Sequence, residues 1–269
     1  MANPLVSIVI PTYNRKSELS ELLASLVAQS FRDFEVIVVN DAGEGIEEII
    51  SLYPDLICQI INHETNQLHV HARNNGVKAA KGEYIMLIDD DDWIVSTHVE
   101  TMLKEIKQAD LVYSDAEIVQ YDKLNGRRIP VSRELFAFNS SVEDMKSNST
   151  FIPSGCLYKK SIHDRIGYFD PEVKNYWDWD FFLRTSAEFQ VKRVKCAGVI
   201  YDFSQNNNNQ SKNLDSMVFF LSRLSEKHDL KNVKPKNFQI VLEELALSGL
   251  KDLSYLVWDG KMPNTRYNP

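Results

Sequence analysis

An uninterrupted apolar run that ends in four aspartates constrains the fold of this chain more than any other feature. Residues 84–88 read Tyr-Ile-Met-Leu-Ile and are followed by Asp89, Asp90, Asp91 and Asp92. A short apolar run without polar alternation is typical of a strand buried on both faces, as in the parallel sheets of α/β proteins. In such sheets, ligands bind beyond the carboxyl ends of the strands, which is where the acidic run begins.

The clustered carboxylates have two explanations. Charge runs usually belong to solvated surfaces, and these aspartates could simply keep an edge strand soluble. However, adjacent like charges repel one another unless a cation or a basic ligand compensates them, and clustered carboxylates suit hard cations. Because the run begins at the carboxyl end of a buried strand, we favour an anionic metal pocket.

The first 110 residues alternate between strand and helix patterns. Three further strands are predicted at residues 5–11, 34–40 and 57–62, and a helix at 70–81. Another helix is predicted by apolar residues at helical spacing, namely Leu19, Leu22, Leu23, Leu26 and Val27. This order requires a mainly parallel sheet flanked by helices, so residues 12–15, Asp41 and the aspartates should meet at one crevice.

Composition excludes several classes of protein. The chain has 269 residues, of which 43% are hydrophobic, and its net charge of −8 argues against a nucleic-acid partner. The three cysteines, Cys58, Cys156 and Cys196, are widely spaced, which disfavours a disulfide framework and fits a reducing cytoplasm. No apolar stretch reaches the roughly 20 residues of a membrane span, and the N-terminus lacks the features of a signal peptide. We therefore expect a cytoplasmic protein without an integral membrane segment, and peripheral contact with a membrane stays open.

The second half of the chain has a mixed pattern. A hairpin is predicted from residue 111 to 131 with its turn at Asn125-Gly126, and helices at 96–108, 159–166 and 180–188. Residues 191–194 and 199–203 are predicted to form two short strands. Residues 139–149 are predicted to form a mobile loop over the crevice, and the Asn-rich residues 204–213 a flexible loop or lid. Helical periodicity returns at 214–226 and 238–247, and the tail from 259 is predicted to be loosely ordered.

Four ordered motifs resemble those of family 2 glycosyltransferases. Residues 6–15 read VSIVIPTYNR, 38–41 read VVND, 72–76 read ARNNG and 87–93 read LIDDDDW. No single motif would suffice, but their co-occurrence in this order is specific. The resemblance covers roughly residues 5–205. It implies an α/β fold of the GT-A type, a Rossmann-like, mainly parallel sheet flanked by helices, with a small mixed second half and C-terminal helices.

The resemblance also suggests a division of the chain. Residues 1–205 would form the GT-A catalytic domain, with a nucleotide-binding half at 1–110 and an acceptor-binding half at 111–205. Beyond the resemblance, the Asn-rich composition predicts a flexible loop at residues 206–213, and helical periodicity predicts a C-terminal helical extension at 214–269.

In the family, the loop after the first strand, the acidic end of the second strand and the Ala-Arg-Asn motif hold the nucleotide. The resemblance therefore implies that a nucleotide-sugar donor contacts Pro11, Thr12, Tyr13, Arg15, Asp41, Arg73 and Asp89. UDP is the favoured carrier, with TDP or GDP as alternatives.

An Asp-x-Asp motif at the end of the fourth strand holds ribose and metal in the family. The match makes Asp89 and Asp91 the motif carboxylates, with a slip of one residue to Asp90 as the alternative, and makes Asp91 the direct ligand of Mn²⁺ or Mg²⁺. Family members often add a late histidine to the metal shell. The corresponding residues 201–205 contain none, so Asp202, Gln205 or water would take that place.

The family places its catalytic base near the start of a helix in the second half. Residues 176–184 read YWDWDFFLR and resemble the family's Glu-Asp-x-Asp pattern, which makes Asp178 the base. Trp177 replaces the usual Glu. The alternative for Asp178 is a helix N-cap, which Asp favours. Of the two carboxylates Asp178 and Asp180, we expect Asp180 to have the structural role.

Aromatic and small residues are expected to shape the sugar site. Trp177, Trp179 and Tyr176 could stack on sugar faces or pack in the core, and we expect one of the two tryptophans to be buried and the other to line the acceptor cleft. Gly155 lies in a segment resembling the small-residue stretch beneath the donor sugar, where a missing side chain allows close approach.

Other classes fit less well. A Rossmann dehydrogenase needs G-x-G-x-x-G after its first strand, and residues 11–16 contain no glycine. His69 and His71 open a predicted helix, where residues two apart diverge, so a metal pair is not expected there. We predict an inverting, metal-dependent glycosyltransferase that acts on a glycan, lipid-linked or other hydroxyl acceptor, by analogy in polysaccharide or glycoconjugate synthesis. The rival is a catalytically degenerate protein of the same fold that binds nucleotide or glycan without turnover.

Overall fold

The computed structural model describes residues 3–124, 127–203, 214–236 and 238–268. Its first half alternates strands and helices as the sequence predicts. The elements are β1 (Val6–Thr12), α1 (Lys16–Val27), β2 (Phe34–Asn40), α2 (Glu47–Ser51), β3 (Cys58–Asn62), α3 (Leu68–Ala79) and β4 (Tyr84–Leu87).

The strands β3, β2, β1 and β4 are neighbours in that order, and every pair among them is parallel. Their carboxyl ends therefore lie at one edge of the sheet. The first residues past β2 and β3 are Asp41 and His63, and Asp89 follows β4 after one intervening residue. The topology alone brings these polar side chains to the same edge.

The second half extends the same sheet. Its elements are β5 (Trp93–Ile94), α4 (His98–Glu105), β6 (Leu111–Leu124), β7 (Arg127–Phe136), β8 (Leu157–Lys159), α5 (Ile162–Ile166), α6 (Trp177–Glu188) and β9 (Val191–Asp202). The short strand β8 is antiparallel to both β4 and β6, and it joins the two halves into a single sheet. The predicted fold class, a mainly parallel α/β sheet with a mixed second half, is confirmed.

Several predicted boundaries are wrong for identifiable reasons. The two short strands predicted at 191–194 and 199–203 are one strand, β9, because the intervening residues stay in the sheet. The pairing with β6 shifts register there, and Cys196 and Ala197 also pair with Tyr255 and Leu256. Helix α6 starts at Trp177 instead of residue 180, which moves Asp178 into its first turn. The predicted loop at 204–213 lies outside the described residues.

The core forms on both faces of the sheet. Ile8 and Ile10 of β1 pack on one face with α1, α2 and α4, and Val9 packs on the other face with α3, α5 and α6. Both faces are buried, so the strands are continuously apolar and do not alternate.

The C-terminal extension packs on the rest of the chain. Helix α7 (Leu214–His228) lies on the 3₁₀ segment Pro171–Tyr176, α8 (Phe238–Leu247) packs on the core, and β10 (Tyr255–Leu256) pairs with β9. The tail was predicted to be loosely ordered, but Thr265 bonds with Ser20 and the Arg266 N–H donates to Tyr53 Oη at 2.9 Å. Among the described residues, no helix combines the length and apolarity that crossing a bilayer requires.

Candidate active site

A cleft of about 830 Å³ opens at the carboxyl edge of the sheet. It is lined by residues from the β1–α1 loop, α3, the aspartate run, the first turn of α6 and α7. Of the predicted site residues it gathers Pro11, Thr12, Tyr13, Arg15, Asp41, Arg73, Asp89, Asp91, Trp177 and Asp178. Gly155 and Trp179 do not line it.

The β1–α1 loop forms one wall. Pro11 and Thr12 are buried at the end of β1, whereas Tyr13 is 49% exposed. Asn14 adopts a left-handed conformation with φ of 55°, which turns the chain sharply into α1. Arg15 thereby reaches back across the loop to the aspartate run.

Asp41 is buried and already partly satisfied by protein groups. Its Oδ1 accepts a hydrogen bond from the Gln67 N–H at 2.8 Å and lies 2.7 Å from His63 Nδ1. His63 Nε2 in turn bonds with Asn75 Nδ2 at 2.8 Å. His63 is not among the residues predicted from the sequence, although its place directly after β3 indicates this edge of the sheet.

The four aspartates have different environments. Asp89 pairs with Arg73, and Asp91 pairs with Arg15. The carboxylate of Asp90 accepts from Thr12 Oγ1 at 2.7 Å and from Arg15 at 3.1 Å.

Asp92 is turned away from the cleft. It is 1% exposed and accepts hydrogen bonds from Ser154 Oγ and, at 3.0 Å, from the Asp202 N–H. Burial raises the pKa of Asp92 well above its usual range, and the neighbouring aspartates reinforce the shift.

Burial also raises the pKa of Asp90 to about 7, against the opposing charge of Arg15. The aspartate run therefore holds less negative charge than its sequence suggests. Asp89 and Asp91 have the more exposed carboxylates of the four, with side-chain exposures of 32% and 12%.

Asp89 and Asp91 supply the hard oxygen donors that Mg²⁺ and Mn²⁺ prefer, and such cations are often held by one or two carboxylates together with substrate phosphates. Within the described residues, no three His, Cys, Asp or Glu side chains are arranged to hold a metal on their own. The donor set therefore fits a cation shared with a bound diphosphate. Asp202, one expected further ligand, is committed elsewhere: its carboxylate accepts from Arg128 at 2.8 Å. Gln205 lies outside the described residues.

Arg73 joins α3 to the second half of the chain. It bonds His69 Nδ1 at 2.8 Å, pairs with Asp89 and lies over the Trp177 ring, 4.2 Å from its centroid. The Arg73 Nε and His69 Nε2 atoms are buried and lack a hydrogen-bond partner in the described part of the chain. Because buried polar groups are nearly always hydrogen-bonded, these two atoms are available to an acceptor brought by a ligand or a water molecule.

Asp178 lies in the first turn of α6 and faces the cleft. Burial raises its pKa to about 6, although first-turn N–H groups and the charge of Arg73 act in the opposite direction. Tyr176 holds the N-cap position, so Asp178 is not the N-cap. A carboxylate with a pKa near neutrality is suited to accept and release a proton.

Asp180, two residues on, is a structural carboxylate. It is fully buried and bonds Arg184, Lys227 and His228 at 2.8 Å each. Burial opposes its ionisation, but the His228 hydrogen bond and the charges of Arg184 and Lys227 outweigh it and lower the pKa to about 2.

Two expected sugar-site residues lie elsewhere. Trp179 is 6% exposed and its Nε1 donates to the Met145 carbonyl at 2.6 Å, so it packs in the core. Gly155 has a φ of 75°, and its carbonyl lies 2.8 Å from His98 Nε2. The neighbouring Ser154, and not Gly155, contacts the aspartate run. The loop carrying Gly155 does reach the cleft, but through Pro153.

Five further residues line the cleft from distant segments and were not predicted as site residues. These are Asn66, His69, Asn175, Tyr201 and Met217. Met217 comes from α7, in the C-terminal extension, and no local sequence signal connects that helix to the cleft.

Comparison with known proteins relates the chain to one family. The family described as "Glycosyl transferase family 2" matches residues 7–167. The uncharacterized glycosyltransferase YwdF of Bacillus subtilis (strain 168) is 51% identical over 257 residues, which cover 95% of this chain and 96% of YwdF. The poly(ribitol-phosphate) beta-N-acetylglucosaminyltransferase TarS of Staphylococcus aureus is 28% identical over 193 residues, 66% of this chain and 32% of TarS.

Solved structures share the fold at low sequence identity. The crystal structure of S. aureus TarS 1-349 in complex with UDP-GlcNAc has a TM-score of 0.61 and 20% identity, covering 90% of this chain and 71% of that chain. The mannosyltransferase PcManGT from Pyrobaculum calidifontis, in complex with GDP-Man and Mn2+, has a TM-score of 0.60 and 15% identity, covering 90% of this chain and 69% of that chain.

Proposed function

The chain belongs to glycosyl transferase family 2, and from that premise we propose that it moves a sugar from a nucleoside-diphosphate sugar to an acceptor hydroxyl with inversion. One observation carries the proposal: Asp178, with its raised pKa, lines the same cleft as Asp89 and Asp91, the carboxylates paired with arginines. One cleft thus holds a candidate base and the charged groups suited to a departing diphosphate.

The donor would bind along the carboxyl edge of the sheet. Arg15 and Arg73 are the cationic side chains that line the cleft among the described residues, and phosphate binding by a chain of net charge −8 depends on such local cations. We assign the nucleotide to Pro11, Thr12, Tyr13, Arg15, Asp41, Arg73 and Asp89. Asp41 would act with its carboxylate already oriented by His63 and Gln67.

We assign the metal to Asp91 and Asp89. A bound Mn²⁺ or Mg²⁺ would neutralise the charge that develops on the leaving diphosphate. Arg15 and Arg73, which now neutralise the same two carboxylates, are positioned to turn their charge to the phosphates.

Asp178 is the proposed base. The acceptor oxygen forms a bond to the anomeric carbon while the bond from that carbon to the diphosphate oxygen breaks, and the acceptor proton passes to the Asp178 carboxylate. A single displacement of this kind inverts the anomeric configuration. Trp177 would contact the sugar only at its exposed edge, because it is 5% exposed and carries Arg73 on its ring.

The relatives support UDP as carrier and a polymer or glycoconjugate as acceptor. TarS is named for transferring N-acetylglucosamine to poly(ribitol-phosphate), and its structure was solved with UDP-GlcNAc. PcManGT was solved with GDP-Man and Mn2+, which keeps a GDP-sugar as the alternative. The three free cysteines, Cys58, Cys156 and Cys196, fit the cytoplasmic location that we propose.

The proposal is tested by incubating the protein with UDP-, GDP- and TDP-sugars and measuring release of the nucleoside diphosphate, with Mn²⁺ and with a chelator. We expect one donor class to be hydrolysed or transferred in a metal-dependent way. Nucleotide affinity without turnover of any donor, with acceptor glycans and lipid-linked acceptors included, would identify a binding protein of the same fold instead.

A further inference from the structure

A buried arginine outside the cleft contacts the backbone of the aspartate run. Arg128 of β7 is 6% exposed, and its guanidinium bonds Glu21 of α1 through Nε at 2.8 Å and Nη2 at 2.5 Å. Its Nη1 donates to the Asp202 carboxylate at 2.8 Å and to the backbone carbonyl of Asp91 at 2.9 Å. The guanidinium also lies over the Tyr121 ring, 4.7 Å from the centroid.

These contacts fix two consecutive residues of the run. Arg128 holds the carbonyl of Asp91, and Asp202, itself bound to Arg128, donates its N–H to the carboxylate of Asp92 at 3.0 Å. Arg128 does not line the cleft. Its effect on the cleft therefore passes through the Asp91 backbone.

We propose that Arg128 is a positioning residue which, with Glu21 and Asp202, fixes the Asp91 backbone so that the Asp91 carboxylate faces the donor. The proposal rests on the proposed function, because that function assigns Asp91 a role at the donor site. The restraint on the loop itself is independent of that task.

The geometry requires an arginine. A planar guanidinium with five fixed donors bridges α1, the end of β9 and the Asp91 carbonyl at once, whereas an ammonium has three donors and no fork geometry. Arg128→Lys therefore keeps the charge that Glu21 and Asp202 need but cannot make all of these bonds. The Asp91 carbonyl is uncharged, unlike Glu21 and Asp202, so its hydrogen bond to residue 128 is the one most easily lost.

The chain provides a matched control on the same strand. Arg133 of β7 forms a bidentate pair with Glu117, through Nε at 2.8 Å and Nη2 at 2.9 Å, and its guanidinium lies 4.2 Å from the Trp258 ring centroid. Within the described residues, Arg133 bonds Glu117 and the Trp258 carbonyl and makes no contact with Asp89–Asp92. Arg133→Lys thus removes a similar bidentate and aromatic arrangement without touching Asp91.

Hydrogen–deuterium exchange of peptides covering residues 87–92 tests the restraint directly. Trp93 is left out because it packs on Trp258, the partner of Arg133. We expect amide exchange in this segment to be about tenfold faster in Arg128→Lys than in the wild type, and unchanged in Arg133→Lys. Equal exchange in both variants would overturn the proposal. If Arg128→Lys does not fold, Glu21→Gln keeps the Asp202 and Asp91 bonds and weakens the same anchor, and we expect a smaller acceleration in the same peptides.

Calorimetric titration of UDP in the presence of increasing Mn²⁺ tests the consequence for the donor site. We expect Arg128→Lys to raise the Mn²⁺ concentration needed for tight UDP binding by about tenfold or more, with no such shift in Arg133→Lys. If the wild type binds UDP, an unchanged Mn²⁺ requirement in Arg128→Lys would contradict the proposal. If the wild type binds none of UDP, GDP and TDP, that result would count against the proposed function itself. The exchange experiment would still show whether Arg128 restrains the Asp91 backbone.

Discussion

The guanidinium of Arg73 lies over the Trp177 ring at 4.2 Å from its centroid, and this contact joins the two halves of the cleft. Arg73 belongs to α3, in the first half of the chain, and Trp177 immediately precedes the proposed base on α6. The next residue, Asn74, reinforces the connection, because its side chain bonds both the N–H and the carbonyl of Phe169, at 3.0 and 2.8 Å. Trp177, which replaces the usual Glu of the family pattern, thus supports an arginine that we assign to the donor site.

Removing this aromatic support should weaken nucleotide binding. Stacking on an aromatic face stabilises a cation by roughly 1 kcal/mol, so Trp177→Leu should raise the Kd for the nucleotide about fivefold. Trp179→Leu is the control, because Trp179 is equally buried but does not line the cleft. We expect both variants to lose stability in urea denaturation and only Trp177→Leu to lose affinity by calorimetry. Equal losses of affinity would mean that Trp177 acts only through the core.

The aspartates should separate by function. Asp91 lines the cleft, so Asp91→Asn should weaken Mn²⁺-supported nucleotide binding by about tenfold or more. Asp92 faces Ser154 and Asp202 instead, and an amide can still accept the Asp202 N–H. Asp92→Asn should therefore leave the Mn²⁺ requirement close to that of the wild type. A larger effect from Asp92→Asn than from Asp91→Asn would show that the metal assignment is shifted along the run.

Asp180 should contribute to stability throughout the neutral range. Its folded pKa of about 2 lies below the ordinary value of 3.8, so its contribution is present above about pH 4 and is lost as the pH falls toward 2. A shift of this size corresponds to roughly 2 kcal/mol.

Asp180→Asn should accordingly lower the free energy of unfolding by about 2 kcal/mol at pH 7.5, and by no less at pH 5. Urea denaturation at the two pH values measures the difference. A loss that shrinks toward pH 5 would contradict a depressed pKa for Asp180.

The pH dependence of turnover should report Asp178. A base acts only when deprotonated, and the pKa of Asp178 is raised to about 6 by burial. The turnover rate should therefore be level above about pH 7 and fall roughly tenfold per unit below pH 6. Donor hydrolysis measured from pH 4.5 to 8.5 at saturating Mn²⁺ provides the profile. A rate that stays constant down to pH 5 would place the base elsewhere.

Sequence patterns predicted the parallel half of the fold well because both of its faces are buried. β2 was predicted at its observed bounds, and β1 and β3 within one residue, since apolar runs between polar turns mark such strands unambiguously. The strands of the second half were harder to predict. The two-residue strand β5 was not predicted, and β9 was divided at residues 195–198, where Lys195 pairs with the distant Asp252 and Cys196 and Ala197 pair with β10.

The site was predictable where residues follow a strand or a motif, as at Asp41 and Asp89. It was not predictable where a contact joins remote segments. Nothing in the local sequence of Arg128 indicates Glu21 or Asp202 as partners, and the choice between Trp177 and Trp179 depends on the phase of α6 relative to the cleft. These are tertiary relationships, which periodicity does not encode.

The most direct test of the account is transfer or hydrolysis of the donor by Asp178→Asn, measured beside its nucleotide affinity. Burial of the ionised carboxylate is unfavourable, since the folded pKa is raised, so the variant should be folded and at least as stable as the wild type at pH 7.5. We predict that turnover falls by at least about a hundredfold while the Kd for the nucleotide changes little. Turnover at the wild-type rate would contradict the assignment of Asp178 as the base.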